Sequence, residues 1–200
     1  MLLDWAVAHR ALPGQGVSGD LHLVEPFPKG VLLAAVDGVG HGPEATLAAK
    51  IAVDTLRSCP AESVHSLVKR CHAALKNTRG VVMTVASWNG LDGTMTWLGV
   101  GNVEGLLFRC DGTTSPVCEN VLLRGGLVGA QLPALYANVV PIIPGDLLIL
   151  ASDGIRNDFE HAVVTKAAPK RIADHILEQH FKGTDDALVL VARYLGWSHD

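Results

Sequence analysis

The sequence has 200 residues, of which 48% are hydrophobic, and its formal net charge at pH 7 is −4. This length and apolar content predict a single domain, residues 1–200, with a full hydrophobic core rather than a disordered chain. The charge argues against a general nucleic-acid binder or a basic membrane-surface protein, and no apolar stretch reaches the ~18 residues that a membrane span requires.

The location is predicted to be cytoplasmic, and the protein is predicted to be a monomer. The N-terminus has no basic start before an apolar block, so no signal peptide is expected. The four cysteines form no Cys-x-x-Cys pair, which favours free thiols over a disulfide frame or a zinc site. No coiled-coil pattern or spare apolar helix indicates an oligomer.

The first 80 residues predict three strands and then two helices. Apolar residues from Leu21 to Phe27 alternate as in a strand, which Pro26 and Pro28 are expected to break. The second helix has an apolar face but no obvious capping serine or threonine. The predicted elements are strands at Asp4–His9, Leu21–Phe27 and Val31–Val36, then helices at Pro43–Leu56 and about Glu62–Leu75.

From Val81 onwards the pattern changes to strands joined by tight turns, with one further helix and a final strand. This order lacks the βαβα alternation of a doubly wound sheet. We therefore predict an α+β fold, a four-layer αββα sandwich of two mainly antiparallel sheets flanked by helices. The predicted elements are Val81–Ala86, Met95–Val100, Gly105–Cys110 before an Asp111-Gly112 turn, Leu122–Gly126, Tyr136–Ile143, Leu147–Ser152, the helix Lys170–His180 and the strand Ala187–Tyr194.

The stretch Asp37-Gly38-Val39-Gly40-His41-Gly42 places a carboxylate where a buried strand ends and a glycine loop begins. Pro43 suits the first position of the following helix, and Glu44 suits its first turn. Such a carboxylate can face a metal or a phosphate while the strand and the helix hold it in place.

Three further acidic sites share this local form. Asp20 follows a glycine, Asp153 ends a buried strand before a glycine, and Asp185-Asp186 precede the last strand. Carboxylates that cluster repel one another unless cations neutralise them, and oxygen ligands suit Mg²⁺ or Mn²⁺. Two such ions about 3.5–4 Å apart can bind a phosphate ester and activate water. No Gly-x-Ser-x-Gly motif offers a serine nucleophile instead.

Taken in order, these motifs resemble the metal-dependent protein phosphatases of the 2C class, and Asp-Gly-x-Gly-His-Gly is similar to the bacterial SpoIIE and RsbU branch of that family. The motifs span the chain from Asp20 to the final strand. The resemblance implies an αββα sandwich, two divalent ions (Mn²⁺ or Mg²⁺) and hydrolysis of phosphoserine or phosphothreonine on proteins.

The resemblance also implies roles for individual residues. Asp37 would bridge the two metals and Gly38 would contribute its carbonyl. Asp153 and Asp185 would hold the second metal, with Asp185 preferred to Asp186, and Asp20 would be a ligand directly or through water.

The short catalytic domain without a recognisable sensor is similar to stressosome feedback phosphatases. This implies phosphoprotein substrates among the stressosome scaffold and antagonist proteins, and negative feedback on the sigma-B general stress response. A phosphatase of another anti-anti-sigma factor is the alternative.

Some residues depart from the family pattern. Ser18 replaces a common glycine, and Ala187-Leu188 replace a common Met-Thr. Gln15 lies near the position where the eukaryotic branch has a phosphate-binding arginine. That branch also has a histidine directly after Asp-Gly, whereas His41 lies two residues further on, so its role as a general acid is a hypothesis.

Two other functions remain open. The altered Ala187-Leu188 pair is compatible with a pseudophosphatase that binds a phosphoprotein without hydrolysis, although the retained carboxylates argue against it. The glycine loop alone is compatible with nucleotide binding, but its spacing is not Gly-x-Gly-x-x-Gly and no βαβ unit follows.

Overall fold

Two β-sheets, stacked face to face, form the centre of the fold. The computed structural model describes residues 2–111 and 117–196. Its elements in chain order are β1 (Leu3–Arg10), β2 (Asp20–Phe27), β3 (Gly30–Gly38), α1 (Pro43–Ser58), α2 (Val64–Ala74), β4 (Val81–Asn89), β5 (Thr94–Val100), β6 (Glu104–Phe108), β7 (Cys118–Asn120), β8 (Leu123–Arg124), β9 (Asn138–Pro141), β10 (Leu147–Ala151), a 3-10 helix (Asn157–Ala162), α3 (Pro169–His180) and β11 (Ala187–Tyr194).

The strands are divided between two sheets, and nearly all neighbours are antiparallel. Sheet A has the order β1-β11-β10-β6-β7, and sheet B has the order β2-β3-β4-β5-β8, with β9 also paired to β5. Only β5 and β8 run parallel among the strand pairs of the described residues. The predicted α+β class with two mainly antiparallel sheets is therefore confirmed.

Three hydrophobic layers hold the sheets and helices together. Val31 and Leu33 of β3 face the layer between the sheets, whereas Leu32 and Val36 of the same strand pack with α1 and α2. A third layer joins sheet A to α3. Central strands such as β3, β10 and β11 are covered on both faces, and their sequences are therefore nearly continuous apolar runs. The four predicted layers are present in the order αββα.

Helix α1 lies close against the end of β3 because its buried face is built from alanines. Ala45, Ala48 and Ala49 are fully buried there. A Cβ atom added at Gly38 would lie 2.1 Å from the carbonyl oxygen of Ala45, so this contact requires glycine. The Asp37-Gly38 pair is therefore fixed against the first turn of the helix.

Two local predictions were wrong. Pro26 does not break β2 but lies within it, opposite Val31, because β2 is an edge strand and an edge strand tolerates a missing N–H. The second helix does have a capping serine: the hydroxyl of Ser63 accepts a hydrogen bond from the amide of Ser66 at 3.3 Å. The sequence pattern placed the helix start one or two residues too early to reveal it.

The other differences concern short elements. The strand β9 covers only part of the predicted range 136–143, and the 3-10 helix was not predicted. The cysteines are free, as expected. Trp88 and Trp97 are buried, whereas Trp5 is exposed on β1; the predictions for Gly112 and Trp197 lie outside the described residues. Within the described ranges, no helix combines the length and apolar character of a membrane span.

Candidate metal centre between the two sheets

Two carboxylates lie side by side at one end of sheet B. Asp20 begins β2 and Asp37 stands at the end of β3, and the two are directly paired in the antiparallel register. Asp20 is 4% exposed, and Asp37 is partly buried. The antiparallel pairing of β2 with β3 thus brings together two acidic residues that are 17 positions apart in the sequence.

The other acidic residues lie at one end of sheet A. Asp153 follows β10, and Asp185 and Asp186 precede β11. These two strands are antiparallel neighbours, with Ala151 opposite Val189, so the end of one meets the beginning of the other. All the acidic sites predicted from the sequence therefore come together where the two sheets face each other.

Hydrogen bonds join the two sheets at this place. The hydroxyl of Ser152 donates to Oδ2 of Asp20 at 2.6 Å and accepts from the amide of Leu188 at 2.8 Å. This buried hydroxyl links β10, β11 and β2. It supplies a support near the position where the sequence lacks the hydroxyl of the common Met-Thr pair.

The carboxylate of Asp186 makes hydrogen bonds within the protein instead of facing the open part of the site. It is 2% exposed, and its two carboxylate oxygens accept hydrogen bonds from the amides of Leu12 at 2.7 Å and Gly19 at 2.6 Å. These bonds attach the loop before β2 to the beginning of β11. Asp185 instead uses Oδ1 to accept from the amide of Asp186 at 2.8 Å, and it is partly exposed.

The buried carboxylates hold their protons more strongly than usual. Burial, and then the charges of the neighbouring aspartates, raise the pKa of Asp37 to about 9. Burial also raises the pKa of Asp20 to about 7, against the opposing effect of its hydrogen bond from Ser152. For Asp153 the pKa is raised mainly by burial and by Asp185, while Lys182 and Asn102 oppose this. A bound cation would reverse this effect, since its charge favours the ionised form.

Asp153 is oriented in a way that suits a cation. Its Oδ2 accepts from Nδ2 of Asn102 at 2.7 Å, and its main-chain carbonyl accepts from Nζ of Lys182 at 2.6 Å. Its Oδ1 is buried and has no hydrogen-bond partner among the described residues. A buried charged oxygen left unpaired is costly, so this atom fits a metal ligand.

The chemistry of the donor set fits a hard divalent cation. All the acidic side chains offer oxygen, which Mg²⁺ and Mn²⁺ prefer. Within the described ranges, no group of three or more acidic, histidine or cysteine side chains is arranged to hold a metal ion by itself. Mg²⁺ usually keeps several waters and binds through one or two carboxylates rather than a full protein cage.

His41 lies in the exposed loop between β3 and α1. Gly40 and Gly42 on either side of it have positive φ angles of 84° and 80°. These glycines bend the backbone out of the strand and into α1, which leaves the His41 ring on the solvent side of the loop. Its proximity to Asp37 follows from the sequence, while its role as a general acid stays a prediction.

A sequence profile of the family described as stage II sporulation protein E (SpoIIE) matches residues 28–195. The chain belongs to the SpoIIE family. The match includes Asp37, Asp153 and Asp185, while Asp20 lies before its first residue. The family predicted from the order of the acidic motifs is thereby confirmed.

One relative of known activity is the phosphoserine phosphatase RsbX of Bacillus subtilis (strain 168). It is 29% identical to this chain over 99 residues, and that match spans half of this chain and half of RsbX. The chain is thus related to a phosphoserine phosphatase, with the sequence likeness confined to about half the length of that relative.

Solved structures extend the likeness over almost the whole chain. One similar structure comes from a study of the bacterial stressosome as a modular system adapted to control secondary messenger signalling. It has a TM-score of 0.87 and 28% identity, and the match covers 96% of this chain and 100% of its own. RsbX in complex with magnesium has a TM-score of 0.85 and 21% identity over 96% of both chains. A structure of the PP2C phosphatase domain of SpoIIE from Bacillus subtilis, with a fragment of its regulatory domain, has a TM-score of 0.75 and 22% identity. The match covers 96% of this chain and 63% of its own. The fold of this SpoIIE-family chain is that of the PP2C-type serine/threonine phosphatases.

Sequence reasoning identified the acidic residues but missed the side chains that position them. Ser152, Asn102 and Lys182 each hold one of the acidic sites through a hydrogen bond. Ser152 and Lys182 lie next to or near a motif and offered a signal. Asn102 follows Gly101 in an ordinary-looking turn after β5, and only the fold brings it to Asp153.

We expect the metal-free protein to become more stable when Asp37 is replaced by asparagine. A raised pKa in the folded state means that stability is fully present below the ordinary pKa near 3.8 and is lost as the pH rises towards about 9. The asparagine side chain cannot ionise. In EDTA at pH 8 the unfolding free energy of Asp37→Asn should therefore exceed that of the wild type by about 1–3 kcal/mol. This is less than the full pKa shift would give, because water at the site screens part of the effect.

Urea denaturation at pH 4.5 and pH 8 in EDTA measures this difference, which should be smaller at pH 4.5. Asp54→Asn, on the exposed face of α1, is the matched control and should show no comparable gain. Equal or lower stability of Asp37→Asn at pH 8 would contradict the raised pKa of Asp37.

Proposed function

We propose that this chain is a metal-dependent protein phosphatase that hydrolyses phosphoserine and phosphothreonine. The observation that carries the proposal is the meeting of Asp20, Asp37, Asp153 and Asp185 between the two sheets, with a buried, unpartnered oxygen on Asp153. Membership of the SpoIIE family and the relation to the phosphoserine phosphatase RsbX support it.

We assign the residues of the site as follows. Asp37 and the carbonyl oxygen of Gly38 would together hold two divalent ions, Mn²⁺ or Mg²⁺, with Asp37 shared between them. Asp153 and Asp185 would hold the second ion, since each oxygen of Asp186 already accepts a hydrogen bond from a backbone amide. Asp20 acts as a ligand, directly or through water, with Oδ2 fixed by Ser152.

When bound, the two ions supply Lewis-acid binding of the phosphate ester and lower the pKa of the attacking water. The chain's own residues hold the carboxylates in place before the substrate arrives. The buried strands fix their backbone positions, and hydrogen bonds from Ser152 and Asn102 fix two of the side chains. His41, exposed beside the site, is the proposed general acid that donates a proton to the leaving serine oxygen.

For the substrate, we propose phosphorylated scaffold and antagonist proteins of a stressosome, with negative feedback on the sigma-B general stress response. The partial likeness to RsbX and the structure from the stressosome study support this choice. Another anti-anti-sigma factor is the alternative substrate. The proposal includes a cytoplasmic location and a monomeric protein, and the assignment of residues 1–200 to one catalytic domain stays a prediction.

The phosphatase reaction is tested by phosphate release from a phosphoserine protein, ideally a phosphorylated stressosome scaffold protein. We expect release with Mn²⁺, none in excess EDTA, and a loss of both turnover and Mn²⁺ binding in Asp37→Asn. The control Asp54→Asn should keep wild-type rates. Tight binding of the phosphoprotein without release, by the folded and metal-loaded wild type, would instead favour a pseudophosphatase.

The role of Asn102 predicts a change in metal affinity. Asn102→Ala removes the hydrogen bond to Oδ2 of Asp153, which would leave that carboxylate free to rotate. Loss of such a supporting partner typically costs roughly 10- to 100-fold in metal affinity. Calorimetric titration with Mn²⁺ measures it, and Asn138→Ala on the exposed strand β9 is the control. Unchanged Mn²⁺ affinity in Asn102→Ala would show that this bond does not orient a ligand.

The role of His41 predicts a dependence on the leaving group. If its ring protonates the leaving oxygen, His41→Ala should lose roughly 100-fold in rate on an alkyl phosphate. It should lose much less on p-nitrophenyl phosphate, whose leaving group needs no proton. His175→Ala, an exposed histidine on α3, is the control. Full activity of His41→Ala on the alkyl ester would remove His41 from the mechanism.

A further inference from the structure

Arg79 lies against the glycine loop that follows Asp37. It precedes β4, and a Cβ atom at Gly40 would lie 2.7 Å from its Nη1. The amide of Val39 donates to the carbonyl of Gly80 at 3.2 Å, so the backbone next to Arg79 is bonded to the same loop. The backbone next to Arg79 is therefore anchored to the loop, and the guanidinium lies beside Gly40.

Glu44 fixes the direction in which the guanidinium points. Its Oε2 accepts from Nε of Arg79 at 2.6 Å and lies 2.5 Å from Nη2. Within the described residues, Nη1 has no hydrogen-bond partner, and it is the nitrogen that faces Gly40. One edge of the guanidinium is thus engaged by Glu44, which leaves the N–H groups of Nη1 available on the loop side.

The ion pair by itself gives little reason for this arrangement. The side chains of Arg79 and Glu44 are 45% and 71% exposed, and exposed pairs contribute only about 0–1 kcal/mol to stability. A planar guanidinium with free N–H groups is, by contrast, well suited to phosphate. The chemistry of the exposed group therefore indicates an anionic ligand.

The position of Arg79 brings it within reach of the metal centre. Gly38 and Gly40 are two residues apart, a distance of at most about 7 Å along the chain. At the other end of the loop, the Cβ position of Gly42 lies 3.4 Å from Oε1 of Gln15, which carries no charge. Arg79 thus places a guanidinium beside one glycine of the loop, whereas the uncharged Gln15 lies beside another.

We propose that Arg79 binds the phosphoryl group of the substrate through Nη1 from the side of the glycine loop, with Glu44 holding the guanidinium in orientation. This inference rests on the proposed phosphatase function and adds a substrate-binding residue to it. It assigns Arg79 to the phosphate itself and not to acidic residues that flank the phosphoserine.

Kinetics of three variants test the inference. In Arg79→Ala, KM should rise on the order of tenfold or more for both p-nitrophenyl phosphate and a phosphoserine protein, because a charge-assisted hydrogen bond is lost. Arg79→Lys should recover part of the loss, since it keeps the charge without the planar fork. Mn²⁺ affinity should be unchanged in both variants.

Arg70→Ala is the matched control. Arg70 is also exposed and is likewise paired with a glutamate, with Nε and Nη2 each 2.8 Å from a carboxylate oxygen of Glu62. It should keep the wild-type KM for both substrates. A rise in KM confined to the phosphoprotein would assign Arg79 to flanking residues and overturn the inference.

Binding of inorganic phosphate to the Mn²⁺-loaded protein provides a readout that does not depend on turnover. Calorimetry should show phosphate binding by the wild type and by Arg70→Ala, and binding on the order of tenfold weaker by Arg79→Ala. Equal binding by wild type and Arg79→Ala, or no binding by the wild type, would overturn the inference. Arg79-dependent binding without any hydrolysis would support it while contradicting the phosphatase function.

Discussion

The cost of burying several carboxylates close together is the constraint on which this structure depends. Asp20 and Asp37 are paired across β2 and β3, and the charges of Asp153, Asp185 and Asp186 act on both. Such a group opposes folding when the charges are uncompensated. The rest of the fold must therefore hold these residues in place against a local cost, which a bound cation would remove.

The central strands provide that support. β3, β10 and β11 are buried on both faces, so the hydrophobic layers on either side fix the strand ends where the acidic residues stand. The alanine face of α1 lets the helix approach Gly38 closely. Rigid elements carry the acidic residues, and the glycine loop with His41 is exposed to solvent. Clustered carboxylates lower the stability of the metal-free protein, as functional groups commonly do in proteins.

The carboxylates divide into those held by the protein and those left open. Both oxygens of Asp186 accept from backbone amides, whereas Asp153 keeps a buried oxygen without a partner among the described residues. Arg79 shows the same division within one side chain, with one edge held by Glu44 and Nη1 open. Groups that are fixed on one side and unsatisfied on the other are prepared for ligands, because their orientation is set before binding.

The sequence by itself determined the fold class, the family and the acidic residues, because apolar periodicity and the order of the Asp-Gly motifs are local properties of the chain. It placed most strands and helices within a few residues. It was wrong at Pro26, because whether a strand lies at a sheet edge depends on its neighbours. Only the tertiary structure decided that Asp186 binds backbone amides, that Asn102 and Ser152 orient Asp153 and Asp20, and that Arg79 lies on the glycine loop. Each of these contacts joins residues that are 35 or more positions apart or lie on different elements, and packing alone brings them together.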